Sequence, residues 1–348
     1  MSVSHRSHSA GWRFLAVLLL VISASGCVPS TEGDGPDGVG GESAVQPSAT
    51  VLWVDSYHSS YPWSAGIEDG IRSVLEPAGI SLTVMRMDTK RVADEDLREK
   101  RGREISEMIL RWDPDVVIAT DDNAQEYLVV PYLVDTDIPV IFAGVNWDAS
   151  GYGYPASNVT GMVEVNPTEQ LAELLRQFAS GERLCIVSGD TVTDRRNNDE
   201  YNERFFDGAL NEHYVSTWNE FQQTWFGLQA RCEILLIGNN AGIEGWTREE
   251  AEPWIRAHTT VVTGSPQAWV SPYVLVSLAN VAEEQGIWAA RSALQVIEGA
   301  DIASIPMAEN GQGDLTINLA IADGLNLVLP PAVLRSATIY DPVGGQDD

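Results

Sequence analysis

The sequence predicts an α/β protein made of two parallel sheets, each covered by helices on both faces. Three observations carry that expectation. Short apolar runs such as 51–54, 116–119 and 233–237 have the length and Val, Ile and Leu content of strands buried on both sides. These runs alternate with stretches of helical period, first along 51–178 and again along 184–262. Beyond an export signal and a tether, roughly 300 residues remain, which is long for one core and suits two lobes.

Residues 1–27 read as a signal peptide. His5, Arg6 and Arg13 precede or open an apolar core over 14–22, and Ala24, Ser25 and Gly26 lead to Cys27. The core is too short to span a bilayer. The approach to Cys27 resembles the lipobox of bacterial lipoproteins, with Ala24 where Leu is more usual, so Cys27 is the expected lipidation site. The alternative is an ordinary secretory signal with a chance cysteine. Residues 28–48 are rich in Gly, Pro, Ser and Asp and read as a flexible linker, able to hold a folded module about 25 Å from an anchor.

The first folded unit joins strand 51–54, the loop SYHSSYPW and a helix marked by Ile67, Ile71, Val74 and Leu75, with Ser64 as its expected N-cap. Strand 82–87 follows, then a helix over 94–112 closed by Asp113-Pro114-Asp115, then strand 116–119. Thr120-Asp121-Asp122-Asn123 reads as the cap of a helix starting near Ala124, strand 139–144 leads to Asn146-Trp147, and 158–165 is another extended piece. Pro167 suits a first helical position, with Leu171, Leu174, Leu175 and Phe178 on one face. The second series is strand 184–188, helix 201–211, strands 215–221 and 233–237, helix 248–258 and strand 259–262. The last third holds strand 274–278, helix 283–298, extended pieces 305–307 and 315–319, and helices 320–324 and 330–337. The second lobe does not need all of this. The excess is what a chain shows when it crosses between lobes more than once.

Fifty acidic residues against 21 basic ones, a formal charge of −29, leave no cationic stripe for phosphates and exclude nucleic acid as a partner. Apart from Cys27 the cysteines are Cys185 and Cys232, each at or just before an expected strand. Export makes a disulfide between them possible; two small buried hydrophobes is the other reading, since spacing along the chain cannot bring Cα atoms within bridging distance. No GxSxG elbow, HExxH, CxxC or P-loop is present. The acids and His58 offer metal-ligand types without a metal-binding spacing, so no metal and no cofactor is expected.

Residues 51–63, Met87-Asp88-Thr89-Lys90-Arg91, Pro114-Asp115-Val116-Val117, Pro139-Val140-Ile141-Phe142, Asn158-Val159-Thr160-Gly161 and Ile317-Asn318-Leu319-Ala320, in that order, resemble the ABC-transporter substrate-binding proteins of the type 1 periplasmic binding protein fold. The similarity spans about residues 49 to 340. It implies two Rossmann-like lobes with parallel sheets, joined by crossover hinge segments, with ligand in the cleft. The expected division is 49–156 plus 268–304 for lobe 1 and 157–267 plus 305–341 for lobe 2. Similar modules also serve as sensor domains.

In open α/β sheets ligands bind outside the carboxyl ends of the strands. That rule selects Ser56, Tyr57, His58, Tyr61, Trp63, Asp121, Asp122, Asn123, Asn146 and Trp147 from the first lobe, and Asp190, Thr191, Asn239, Ser265 and Trp269 from the second, as ligand-binding candidates. The aromatics can stack a flat or sugar-like ligand, or pack between loop and helix. Asp121 and Asp122 can receive an ammonium or hydroxyls, or cap a helix. Asp190 and Asn239 can equally be turn residues. The acidic Asp121-Asp122-Asn123, where amino-acid binders resembling this chain carry small hydroxyl residues, argues against a simple carboxylate ligand. The expected protein is a monomeric, lipid-anchored solute-binding protein of the cell envelope, facing the periplasm or exterior, that captures a small polar or aromatic solute for an ABC transporter permease. A membrane sensor protein as partner is the alternative, and a cleft hydrolase a remote one.

Overall fold

The computed structural model describes residues 49–92 and 94–340. The signal peptide, Cys27 and the 28–48 linker lie outside the described residues. Along the chain run β1 (Thr50–Asp55), α1 (Pro62–Leu75), β2 (Ser81–Arg86), α2 (Glu95–Trp112), β3 (Val116–Thr120), α3 (Asp121–Ala124), α4 (Val130–Tyr132), β4 (Val140–Asn146) and β5 (Val159–Glu164). Next come α5 (Thr168–Arg176), β6 (Leu184–Gly189), α6 (Val192–Phe205), β7 (Asn211–Val215), α7 (Trp218–Gln229), β8 (Ile234–Ile237), α8 (Arg248–His258), β9 (Val262–Ser265) and β10 (Val276–Asn280). The last stretch holds α9 (Ala282–Ile297), β11 (Ala308–Glu309), β12 (Gly313–Asn318), α10 (Leu319–Gly324), α11 (Pro331–Ser336) and β13 (Thr338–Tyr340).

Two sheets result, in the orders β11-β5-β4-β3-β1-β2 and β13-β12-β10-β9-β8-β6-β7. Among the described strands every pairing is parallel except β10 with β12, so the two sheets are mostly parallel, as expected. The reason for the exception is the route of the chain. β10 ends at the crossover region with Asn280, β12 begins there with Gly313, and these two residues are register partners, so one strand runs toward the crossover and the other away from it.

Alternation within each strand divides the core between the two faces of its sheet. In β1, Val51 and Trp53 face α1 and α9 with Ile67, Ile71 and Ala290, whereas Leu52 and Val54 face Ile105, Ile109 and Leu128. In β6, Ile186 joins Leu171 and Leu175, whereas Cys185 and Val187 join Phe221 and Trp225. Cys185 and Cys232 form a disulfide across neighbouring β6 and the entry to β8, with Cα atoms 6.0 Å apart. Of the two sequence readings for these cysteines, the bridged one holds.

Several expectations are corrected. The lobe boundaries at 156/157 and 267/268 differ from the sheets: β5, expected in the second lobe, pairs with β4, and β11 pairs with β5. Conversely, β10, expected in the first lobe, pairs with β9 and β12. An apolar run reveals that a strand is buried but not which sheet receives it. The expected strand 215–221 is instead the end of β7 and the start of α7, because Thr217 accepts from the Glu220 backbone N–H at 3.3 Å as an N-cap. Helix α1 starts two residues before Ser64, with Pro62 in its first turn, where the missing N–H costs nothing. Ser64 is buried and donates to Asp55 Oδ1 at 2.8 Å.

Helix α9 returns from the second sheet to pack on α1. The contact is close because glycines face it: a Cβ at Gly70 would lie 2.3 Å from Glu283 O, and one at Gly286 would lie 2.2 Å from Ile67 O. This brings the N-termini of α1 and α9 side by side at one end of the first sheet.

Candidate functional site

The chain crosses between the sheets three times, after β5, after β10 and after β11. Side-chain amides tie the crossings together. Asn280 Nδ2 donates to Glu164 Oε1 at 2.9 Å and to Asn166 Oδ1 at 3.0 Å; Asn310 Nδ2 donates to Asn280 Oδ1 at 3.0 Å and to Val165 O at 3.1 Å. Above this knot opens a cavity of about 570 Å³. Its walls are the α1 N-terminus (Tyr61, Pro62, Trp63 and Gly66), the α9 N-terminus (Ala282 and Glu283), the crossover residues Glu164, Asn166 and Asn280, and residues 266–269 of the second lobe with Asp314. Both lobes contribute, as a ligand-closing cleft requires.

Beside Trp63 lies Asp121, the first residue after β3, in the left-handed region with φ +66°. Its Oδ1 accepts from Trp63 Nε1 at 3.0 Å, while Oδ2 is buried and has no hydrogen-bond partner among the described residues. Burial drives the Asp121 carboxyl well above the ordinary range, and the charges of Glu164, Asp55 and Asp122 push the same way. Glu164 is pushed up to about 7, mainly by burial and further by Asp122, against the Asn280 hydrogen bond and the Lys90 charge. Lys90 rests on the aromatic loop: its Nζ is 4.4 Å from the Tyr57 ring centre and 4.9 Å from that of Tyr61, and the two rings meet edge to face at 5.0 Å. Burial raises the Tyr57 hydroxyl pKa first, and Asp121 adds to it.

Glu164 makes stability depend on pH. Its folded value of about 7 exceeds the unfolded 4.5, so the native state keeps a proton that the unfolded chain has already lost. The stabilisation is complete below about pH 4.5 and is lost as pH rises through about 7. Glu164→Gln is therefore expected to flatten the fall in unfolding free energy between pH 5 and pH 8, measured by urea titration. An unchanged slope in the variant would contradict this assignment.

The structure distributes the sequence candidates unevenly. Tyr61, Trp63 and Trp269 line the cavity, and Trp269 is 57% exposed on its rim. Tyr57 and Asp121 flank it through the contacts just given. Asp122 is held by the Tyr152 hydroxyl at 2.8 Å and by Asn146, and Asn123 donates to Thr89 Oγ1 at 2.9 Å. His58 Nδ1 lies 2.9 Å from Ser60 Oγ at the exposed edge of the loop.

The remaining candidates make hydrogen bonds or packing contacts within the fold. Ser56 is fully buried; its hydroxyl donates to Thr120 O at 2.6 Å and accepts from Ala124 N at 2.8 Å, clamping the loop to the start of α3. Ser265 is buried and accepts from Gln267 N at 3.1 Å. Thr191 caps α6 by accepting from Asp194 N at 3.1 Å, Asp190 pairs with Arg195 at 2.8 Å, and Asn239 Oδ1 accepts from Ala241 N at 3.0 Å. Asp190, Thr191 and Asn239 do not line the cavity. Trp147, only 4% exposed, leaves β4 and packs edge to face on Tyr201 at 5.2 Å, donating to Asn197 Oδ1 at 3.2 Å, so it joins the lobes rather than facing the cavity.

Glu164, Asn166, Lys90, Gln267 and Asn280 are absent from the sequence candidates. The carboxyl-end rule finds Glu164 and Asn166 once β5 is placed in the first sheet. Lys90 is one of two lysines in the chain, a signal composition does contain.

No protein-family model matches the chain, and no curated protein matches it significantly. Solved structures do. A substrate-binding protein with adhesive properties from Clostridium difficile, in a ligand-free, open structure, is 16% identical, with 84% of this chain and 99% of that one covered at a TM-score of 0.63. A conserved domain protein from Vibrio cholerae is 18% identical over 84% and 99% of the two chains, TM-score 0.57. An ABC domain in complex with L-Trp from Streptococcus pneumonia is 20% identical over the same shares, TM-score 0.55. At these identities the likeness is one of fold, and the chain has the type 1 periplasmic binding protein fold.

Proposed function

We propose that this is an extracytoplasmic solute-binding protein, anchored by a lipid on Cys27, that closes its lobes on one small solute and delivers it to an ABC transporter permease. The observation that carries the reading is the 570 Å³ cavity at the crossovers, walled by both lobes and by aromatic and polar side chains. A cavity built from two lobes at their hinge ties ligand contact to lobe closure, because ligand that touches both lobes binds the closed state better. Of the proteins of similar fold, one is in complex with L-Trp and one is described as substrate-binding, which supports a solute-binding role. The Cys185–Cys232 disulfide supports an oxidising compartment. Among the described residues no helix is long and apolar enough to cross a membrane.

Two outcomes test the reading. Cys27→Ser is expected to move the protein from the membrane fraction to the soluble envelope fraction; a variant that stays with membranes would remove the lipid anchor from the proposal. Trp63→Ala and Trp269→Ala, which strip the cavity of apolar wall, are each expected to weaken solute binding about tenfold by calorimetry. Full affinity in both variants would place the ligand elsewhere.

A further inference from the structure

Resting on the solute-binding reading above, the charge and aromatic lining of the cavity name a class of solute. We infer that it takes a small organic ammonium compound with an apolar or aromatic body, rather than an acid, a zwitterion or a sugar.

Three independent observations meet there. The ionisable residues lining the cavity are Glu164, Glu283 and Asp314, together with the phenol of Tyr61, and no Lys, Arg or His is among them. A carboxylate or phosphate entering would face acids without a cationic partner in the wall. Next to that wall, Asp121 is 3% exposed and bound on one side to cavity-lining Trp63, with its Oδ2 lacking any partner among the described residues. A buried polar oxygen without a partner is costly, and a cation held against the Trp63 wall favours the ionised form of this carboxyl through space. The third observation is Lys90. Its ammonium already lies over the faces of Tyr57 and Tyr61 at cation–π distance, and Glu164 feels its charge. The protein's own ammonium thus rests on the ring that also lines the cavity, Tyr61, and shows which chemistry these rings and acids accept.

The helix ends do not reverse the balance. The first turn of α9 carries Glu283 and Glu284, which offset its positive end, and Glu284 accepts from Gly311 N and Gln312 N at 2.9 Å. In the first turn of α1, Pro62 has no N–H and the Ala65 N–H donates to Tyr61 O at 3.0 Å.

The test is calorimetry on the mature exported protein at pH 8 with ammonium probes (tryptamine, tyramine, agmatine, choline), the carboxylates indole-3-propionate and 4-hydroxyphenylpropionate, the zwitterions L-tryptophan and L-tyrosine, and neutral D-galactose. At least one ammonium probe is expected to bind at least tenfold tighter than every carboxylate, zwitterion and sugar. Asp121→Asn, which keeps a residue tolerant of positive φ, and Glu164→Gln are each expected to lose at least tenfold of that affinity while retaining the parent's near-UV circular dichroism. Lys90→Met is expected to raise it several-fold, because it removes a competing ammonium. Tighter binding of a carboxylate, zwitterion or sugar, or a loss of affinity in Lys90→Met, overturns the inference and leaves solute binding standing. No binding by any probe in any class overturns both.

Discussion

Replacing both Cys185 and Cys232 with alanine is expected to destabilise the second lobe by about 3–4 kcal/mol. The bridge closes a loop of 47 residues in sequence separation, and the chain entropy it removes from the unfolded state grows with that length. The loop contains α6, β7 and α7, so the unbridged chain must order these three elements while β6 and β8 find each other. In a domain of this size such a loss lowers the melting temperature by roughly 6–15 °C. The effect should be confined. Trp53 and Trp63 belong to the first sheet's core, so single-tryptophan reporters there and at Trp225 would distinguish loss of one lobe from loss of both. A shift below about 2 °C, or equal melting of both reporters at unchanged cooperativity, contradicts a bridge acting on the second lobe alone.

Gly286→Val is the second large effect, expected at about 3 kcal/mol through overpacking. A Cβ at Gly286 would stand 2.2 Å from Ile67 O and 2.9 Å from Ile71 N, both backbone atoms of α1 that cannot rotate away. The helices must separate, and their separation moves the two N-termini that wall the cavity. Solute affinity should therefore fall together with stability. Gly324→Ala supplies the control, since a Cβ there meets nothing within 4 Å, and its change should stay within about 0.5 kcal/mol. If Gly286→Val unfolds at the parent's denaturant midpoint, the close approach of α1 and α9 is not what holds that face.

Much of the first lobe was readable in residues. The buried run at 51–54 and the helical period of Ile67 and Ile71 are β1 and α1, and the helix expected over 94–112 is α2, with Asp94 as its N-cap accepting from Leu97 N at 3.2 Å. Tyr61, Trp63 and Asp121 were accessible to the carboxyl-end rule because Asp121 follows β3 directly and the other two lie in the loop and first helical turn that follow β1. Ser56 and Thr191 satisfied the same rule and act as a clamp and a helix cap, because a short hydroxyl at a strand end is as good a clamp or cap as it is a ligand contact. Glu164 escaped because its strand was placed in the wrong lobe.

The sequence by itself determined the α/β class, the alternation of buried strands with amphipathic helices and the acidity of the loop after β3. These are local properties: period, capping and composition act over a few residues. Only the tertiary structure decided which sheet each strand joined, that Cys185 reaches Cys232, that Trp147 bridges lobes, and that Glu164, Asn280 and Lys90 gather beside Asp121. The physical reason is range. Apolar burial is non-directional and satisfied equally well in either sheet, whereas register, crossover path and the glycine-thin contact of α1 with α9 are long-range choices made by packing and hydrogen bonds.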